Sequence, residues 1–97
     1  MELKRTSLEA EYEKTKIKEW KVYLEAKAPA EEAYKIAVAE TKAAYIGEER
    51  YKEAMASAWA NYEAVRLPAF KRYTVKMEIA WKEHQKRMKE AAKETLE

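Results

Sequence analysis

Tyrosines recur every eleven residues along most of this chain. The two series are Tyr12, Tyr23, Tyr34 and Tyr45, then Tyr51, Tyr62 and Tyr73, with His84 in the next place. Eleven residues are three helical turns plus about 20°, so each series forms a nearly straight stripe on one helix face. The phase breaks once, near Gly47, which is the only glycine. The pattern predicts two long helices joined there.

The second predicted helix, residues 48–95, carries a regular stripe in repeated steps of four, four and three residues. Every member except Arg66 is aromatic, Met or His. The members are Tyr51, Met55, Trp59, Tyr62, Arg66, Phe70, Tyr73, Met77, Trp81, His84 and Met88. We predict that this stripe faces the core. An eleven-residue period favours a straight or slightly right-handed helix pair.

The first predicted helix, residues 7–46, has a less regular stripe, which Lys16, Lys27, Glu31 and Lys42 interrupt. Its apolar members are Leu8, Tyr12, Trp20, Tyr23, Tyr34, Val38 and Tyr45. Ser7 fits an N-cap with an acidic residue in the following turn. Gly47 fits the left-handed C′ position that ends many helices.

Pro29 and Pro68 fall inside the two predicted helices. A proline in a helix interior costs about 3 kcal/mol and bends the helix, whereas a proline at the first position can start a new one. The stripes cross both prolines without losing phase, so we predict kinks in two long helices. The alternative is a compact four-helix bundle in which each proline begins a helix.

Folding the chain back at residue 48 brings the aromatic positions of the two helices level. The predicted pairs are Tyr45 with Tyr51, Tyr34 with Tyr62, Tyr23 with Tyr73, and Tyr12 with His84. We therefore predict one all-α domain, residues 1–97, with the two helices antiparallel as a helical hairpin.

Composition narrows the functional classes. The chain has 20 basic and 18 acidic side chains, a net charge of +2 and no cysteine, which excludes disulfides and a thiolate zinc site. No apolar run approaches the ~18 residues of a membrane span, so we expect no membrane insertion and a cytoplasmic protein by default. The abundance of Lys and Glu with few amides is typical of thermophilic proteins and also of designed helical scaffolds.

No catalytic or cofactor motif stands out. Glycine-rich phosphate loops are excluded by the single Gly, and the serines lack a neighbouring histidine. His84 is the only histidine; because it replaces a tyrosine in the stripe, it is more simply a packing residue than a metal or haem ligand. We expect no enzyme activity, no cofactor and no metal.

The aromatic side chains instead point to self-association. The chain has 11 aromatic residues. Each buries about 150–250 Å² when fully packed, and together they carry more apolar surface than one helix pair can cover. We expect a four-helix dimer or a larger helical assembly. The predicted self-association residues are Tyr12, Trp20, Tyr23, Tyr34, Tyr51, Trp59, Tyr62, Phe70, Tyr73 and Trp81.

A second hypothesis is a protein that coats nucleic acid. Basic residues interrupt the aromatic stripes at Lys16, Lys27, Lys42 and Arg66, where they could contact phosphates while tyrosines stack on bases. The other interpretation is that the Lys stems cover apolar surface and the charges balance local Glu.

Two resemblances accompany these hypotheses. The length, the hairpin and the central Tyr45-Ile46-Gly47 resemble the small secreted WXG100 proteins, with Tyr in place of the motif's Trp. A kinked, Ala-rich hairpin is also similar to the helical coat proteins of archaeal filamentous viruses, which wrap nucleic acid. The second resemblance implies a place in the virion.

Overall fold

The chain folds as two long helices, α1 (Glu2–Ala43) and α2 (Glu48–Leu96), of 42 and 49 residues. This computed structural model describes residues 2–44 and 46–96. Tyr45, predicted to stand on the first tyrosine stripe, lies outside these described residues. No strand occurs within them, so the prediction of an all-α helical hairpin is confirmed.

The ends of α1 differ from the prediction. Ser7, predicted as an N-cap, lies inside α1, because the residues before it include Glu, Leu, Lys and Arg, which are good helix formers. At the other end α1 stops at Ala43, three residues before the predicted end. The Ala44 amide donates to the Thr41 carbonyl at 3.3 Å, and this tighter turn ends the helix.

Gly47 adopts the left-handed backbone conformation predicted for it, with φ of 82°. Its role is different, however. The Tyr51 amide donates to the Gly47 carbonyl at 2.9 Å, and this is the first hydrogen bond of α2. Gly47 is therefore the N-cap of α2 and not the C′ residue of α1. Glu48 and Glu49 follow it, where carboxylates favour the positive end of the helix dipole.

Both helices run without interruption through their prolines, Pro29 in α1 and Pro68 in α2. The alternative bundle, in which each proline begins a new helix, is therefore wrong. The continuous helices agree with the stripes of the sequence, which keep their phase across both prolines. The bend expected at each proline stays a prediction.

The contacts between helices divide the chain into two compact units. The terminal unit comprises Met1–Val22 and Arg72–Glu97, and the turn unit comprises Tyr23–Lys71. The turn unit buries Tyr23, Ala58 and Ala69, and the terminal unit buries Ala91. Tyr23 is the one large side chain among these buried residues.

Small residues occupy the centre of the packing face of α2. Ala58, Ala69, Ala80 and Ala91 recur every eleven residues, and all are buried or half-buried. The aromatic residues that directly follow the first three were predicted to face the core, but they are 41–51% exposed: Trp59, Phe70 and Trp81. That part of the predicted stripe is wrong, because close packing of two helices needs a small residue at the centre and leaves the larger one at the edge.

Candidate self-association faces

In the terminal unit, Tyr12 of α1 lies between two aromatic rings of α2. Its ring stacks on His84 with centroids 4.6 Å apart and an interplanar angle of 18°, and it meets Trp81 at 5.5 Å. The predicted Tyr12–His84 pair is therefore confirmed. Trp20 and Tyr73 form a further edge-on pair at 5.3 Å. These distances favour offset or edge-to-face aromatic packing.

The turn unit repeats this arrangement. Tyr34 of α1 meets both Trp59 and Tyr62 of α2 at 5.7 Å, which confirms the predicted Tyr34–Tyr62 pair. The ring of Tyr23 meets that of Phe70 at 5.6 Å. The predicted pair of Tyr23 with Tyr73 stays a prediction, and the predicted partner of the half-buried Tyr51, Tyr45, lies outside the described residues.

Four of the ten predicted self-association residues remain largely exposed in the single chain. Trp20 is 44% exposed, Trp59 51%, Phe70 41% and Trp81 46%. The tyrosines of the set are half-buried, except Tyr23 at 5%. Each of these rings contacts a tyrosine of the opposite helix within its own unit, and 41–51% of its surface remains accessible to solvent. We call the exposed edges of these four rings the aromatic rims, and they are the candidate self-association faces.

Further apolar side chains are exposed away from the aromatic stripes, and sequence reasoning missed them. Ile17 and Ile79 are the most exposed, at 67% and 63%. The others are Val22, Leu24, Ile36, Val65, Leu67 and Val75. The signal was available: the stripes do not include these aliphatic residues, so a helix pair that buries its stripes has to expose them.

An apolar groove of about 390 Å³ runs along the seam between the helices of the terminal unit. It is lined by the uncharged Leu8, Tyr12, Thr15, Ile79, Ala80 and His84 and by the charged Glu11, Glu19, Lys76, Glu83 and Arg87. Two ion pairs join the helices beside it, Arg87 with Glu11 at 2.8 Å and Lys76 with Glu19 at 3.5 Å.

Two of the three lysines considered for nucleic-acid contact, Lys16 and Lys27, are engaged in ion pairs within α1. Lys16 pairs with Glu13 at 3.0 Å and lies 5.4 Å from the centroid of the Tyr12 ring. Lys27 pairs with Glu31 at 2.7 Å and lies 5.6 Å from the Tyr23 ring. The hydrogen bond that each lysine donates to its glutamate raises the pKa of the lysine. The bond from Lys27 also lowers the pKa of Glu31.

Arg66 is held in a polar cluster on the packing face of the turn unit. Its Nε and Nη2 donate to the two carboxylate oxygens of Glu63 at 2.6 and 2.9 Å, and Nη1 donates to the Tyr23 hydroxyl at 3.5 Å. The guanidinium also lies 5.8 Å from the Phe70 ring. The hydrogen bonds from Arg66 lower the pKa of Glu63, and those to Glu63 and Tyr23 raise the pKa of Arg66. Of the four cations, Lys42 alone is exposed without an ion pair in the described part of the chain.

The described residues contain no group of three or more side chains suited to hold a metal ion. They also contain no helix that is apolar enough over 18 residues to cross a membrane. Comparisons with protein-family models, with curated proteins and with solved structures find no match to this chain.

Proposed function

We propose that this protein is a non-enzymatic, self-associating helical protein with a structural or scaffolding role. The observation that carries the proposal is the half-exposure of Trp20, Trp59, Phe70 and Trp81 in the single chain. Soluble monomers rarely leave extended apolar patches uncovered, whereas interfaces are enriched in such aromatic residues. A second copy is the simplest partner that could cover them.

Helix packing gives the proposal a physical form. Two helices shield only one flank of each other, so further helices are needed to close a core around both. Association of two hairpins as a four-helix bundle would bury the aromatic rims together with some of the exposed aliphatic residues, such as Val75 and Ile79. A larger helical assembly would use the same surfaces repeatedly.

The environment of the stripe cations favours this function over nucleic-acid coating. Lys16, Lys27 and Arg66 each have a carboxylate partner within 3.0 Å and an aromatic ring within 6 Å. A phosphate would have to displace these glutamates. In the proposed function, the three cations cover apolar ring surface with the aliphatic parts of their side chains and neutralise local negative charge.

The prolines contribute curvature to the proposed assembly. Pro68 cannot donate a hydrogen bond to the Ala64 carbonyl, and its ring crowds the preceding turn, so α2 should bend there. Replacement of Pro68 by Ala should straighten α2 and stabilise it by up to about 3 kcal/mol. An unchanged helix axis in a crystal structure of the variant would exclude the kink.

Sedimentation equilibrium at micromolar concentration tests the proposed function. The expected result is a reversible oligomer whose mean mass rises with concentration above the 11.4 kDa of one chain. A strictly monomeric, cooperatively folded protein over the whole range would refute the proposal.

A further inference from the structure

We infer that the groove of the terminal unit is a two-fold interface in which each of two copies inserts the Ile79 edge of α2 into the groove of the other. This inference rests on the proposed self-association and identifies the surface that would carry it. The groove follows the seam between two antiparallel helices, where a further helix settles in helical bundles.

The Ile79 edge has the shape of a packing ridge. Val75 and Ile79 lie one turn apart on α2, and they are 49% and 63% exposed. Ile79 also lines the groove. A ridge at the border of its own groove satisfies the geometry of a two-fold contact, in which the same surface serves both copies.

The charges around Ile79 are self-complementary. Lys76 precedes Ile79 by three residues and Glu83 follows it by four, so all three share one face of α2. When two α2 helices cross antiparallel near Ile79, Lys76 of each copy comes level with Glu83 of the other. Within one chain Lys76 pairs with Glu19 and Glu83 with Arg87, both at 3.5 Å, but the two side chains keep 49% and 57% of their surface exposed, so a contact with a second copy can add to these pairs. A second copy therefore meets opposite charges on both sides of the apolar ridge.

The most direct test introduces a charge at the ridge. Ile79→Glu should raise the dimer dissociation constant about tenfold or more, since 1.4 kcal/mol is a factor of ten and a carboxylate buried in an apolar groove costs at least that. Ile17→Glu is the matched control, because Ile17 is equally exposed in the same unit and does not line the groove. Its dissociation constant should stay within about twofold of that of the unmodified chain.

The outcomes separate the inference from the proposed function. An unmodified chain that is monomeric in sedimentation equilibrium overturns both. An oligomer that Ile79→Glu leaves unchanged, or that Ile17→Glu disrupts instead, overturns this interface and leaves self-association in place. Urea unfolding of each variant, with circular dichroism, identifies a loss of dimer that follows from loss of the fold.

A cross-linking pair gives a readout that does not depend on stability. The chain has no cysteine, so Ile79→Cys and Ile17→Cys each provide one thiol. A disulfide requires Cα atoms closer than about 7 Å, which a residue near a two-fold axis satisfies. Mild oxidation should convert Ile79→Cys to a covalent dimer and leave Ile17→Cys mostly monomeric. Equal cross-linking of both variants would overturn the inference.

Discussion

The terminal unit and the turn unit contain the same aromatic arrangement. In each, a tyrosine of α1 lies against two rings of α2 that are three residues apart, and the tyrosines are Tyr12 and Tyr34. The distances to the tryptophans differ by only 0.2 Å, 5.5 Å against 5.7 Å. The repeat therefore places a tyrosine of α1 against a tryptophan of α2 in both units, while the second ring differs, since Tyr12 stacks on His84 at 4.6 Å and Tyr34 meets Tyr62 in a tilted contact at 5.7 Å.

The charges of the two units are arranged differently. The terminal unit pairs charges between its helices, as in Glu11–Arg87 and Glu19–Lys76, in addition to pairs within a helix such as Lys16–Glu13. The turn unit pairs them within a helix, as in Lys27–Glu31 and Arg66–Glu63. The comparison shows that the aromatic repeat is common to both units while the ion pairs are local additions. The fold should therefore respond strongly to changes in ring packing and weakly to changes in exposed charge.

The largest effect is expected where a tyrosine of the repeat is fully buried. Tyr23→Ala should lower the free energy of unfolding by about 3–5 kcal/mol, the usual cost of removing a buried aromatic ring. Tyr12→Ala, which removes a half-buried ring in the terminal unit, should cost less. Urea unfolding at one fixed protein concentration measures both. A larger loss for Tyr12→Ala would contradict the burial difference.

The alanine series provides the next test, and here the two units should behave alike. Ala58→Leu in the turn unit and Ala91→Leu in the terminal unit should each destabilise the fold by about 1–3 kcal/mol, because added methylene groups force the helices apart. Ala60→Leu is the control, since Ala60 is exposed on the same helix. If Ala58→Leu unfolds at the same urea concentration as this control, alanine is not required at the centre of the face.

The Arg66–Glu63 cluster should give a smaller, pH-dependent effect. Because Arg66 lowers the pKa of Glu63 in the folded state, the pair stabilises the fold above the carboxyl's unfolded pKa of about 4.3, and this contribution is lost as the pH falls through the folded pKa. Arg66→Gln should therefore lower the urea midpoint at pH 7, and the difference from the unmodified chain should shrink at acidic pH. Lys52→Gln, which affects an exposed pair with Glu48, is the control. A difference that does not vary with pH would exclude this role of Glu63.

The smallest effect is expected from the ion pairs between the helices of the terminal unit. Both side chains of Glu11–Arg87 are at least half exposed, and such pairs contribute about 0.2–1 kcal/mol. A double-mutant cycle with Glu11→Gln and Arg87→Gln should give a coupling energy in this range that falls clearly in 1 M salt, where the Debye length is about 3 Å. A coupling that persists at high salt would mean that the pair is shielded from solvent.

The sequence allowed the helix pair and part of its register to be predicted. The period of eleven correctly predicted that Tyr12 lies level with His84 on the paired helices. The single glycine marked the residue with left-handed backbone conformation between the helices. The phase of the stripe across Pro68 correctly favoured a continuous α2 over a new helix.

The parts that were missed depend on contacts and not on residue type. A stripe chosen for large apolar residues selects Trp59, whereas the helix pair buries Ala58, one residue and about 100° away. The carboxylate partners of Lys27 and Arg66 lie three or four residues away in the same helix, but the sequence offers several such glutamates and does not identify which one pairs. The seam groove depends on side-chain directions from both helices, which periodicity alone does not give.

Acrylamide quenching of tryptophan fluorescence, measured from nanomolar to tens of micromolar protein, tests the central claim most directly. The three tryptophans are 44–51% exposed in one chain, so a second copy that covers the aromatic rims would shield all of them from the quencher. The account predicts that quenching falls and the emission moves to shorter wavelength as the concentration rises through the association range. Quenching and emission that stay constant while the mass rises would contradict it, because association would then use surfaces other than these aromatic faces.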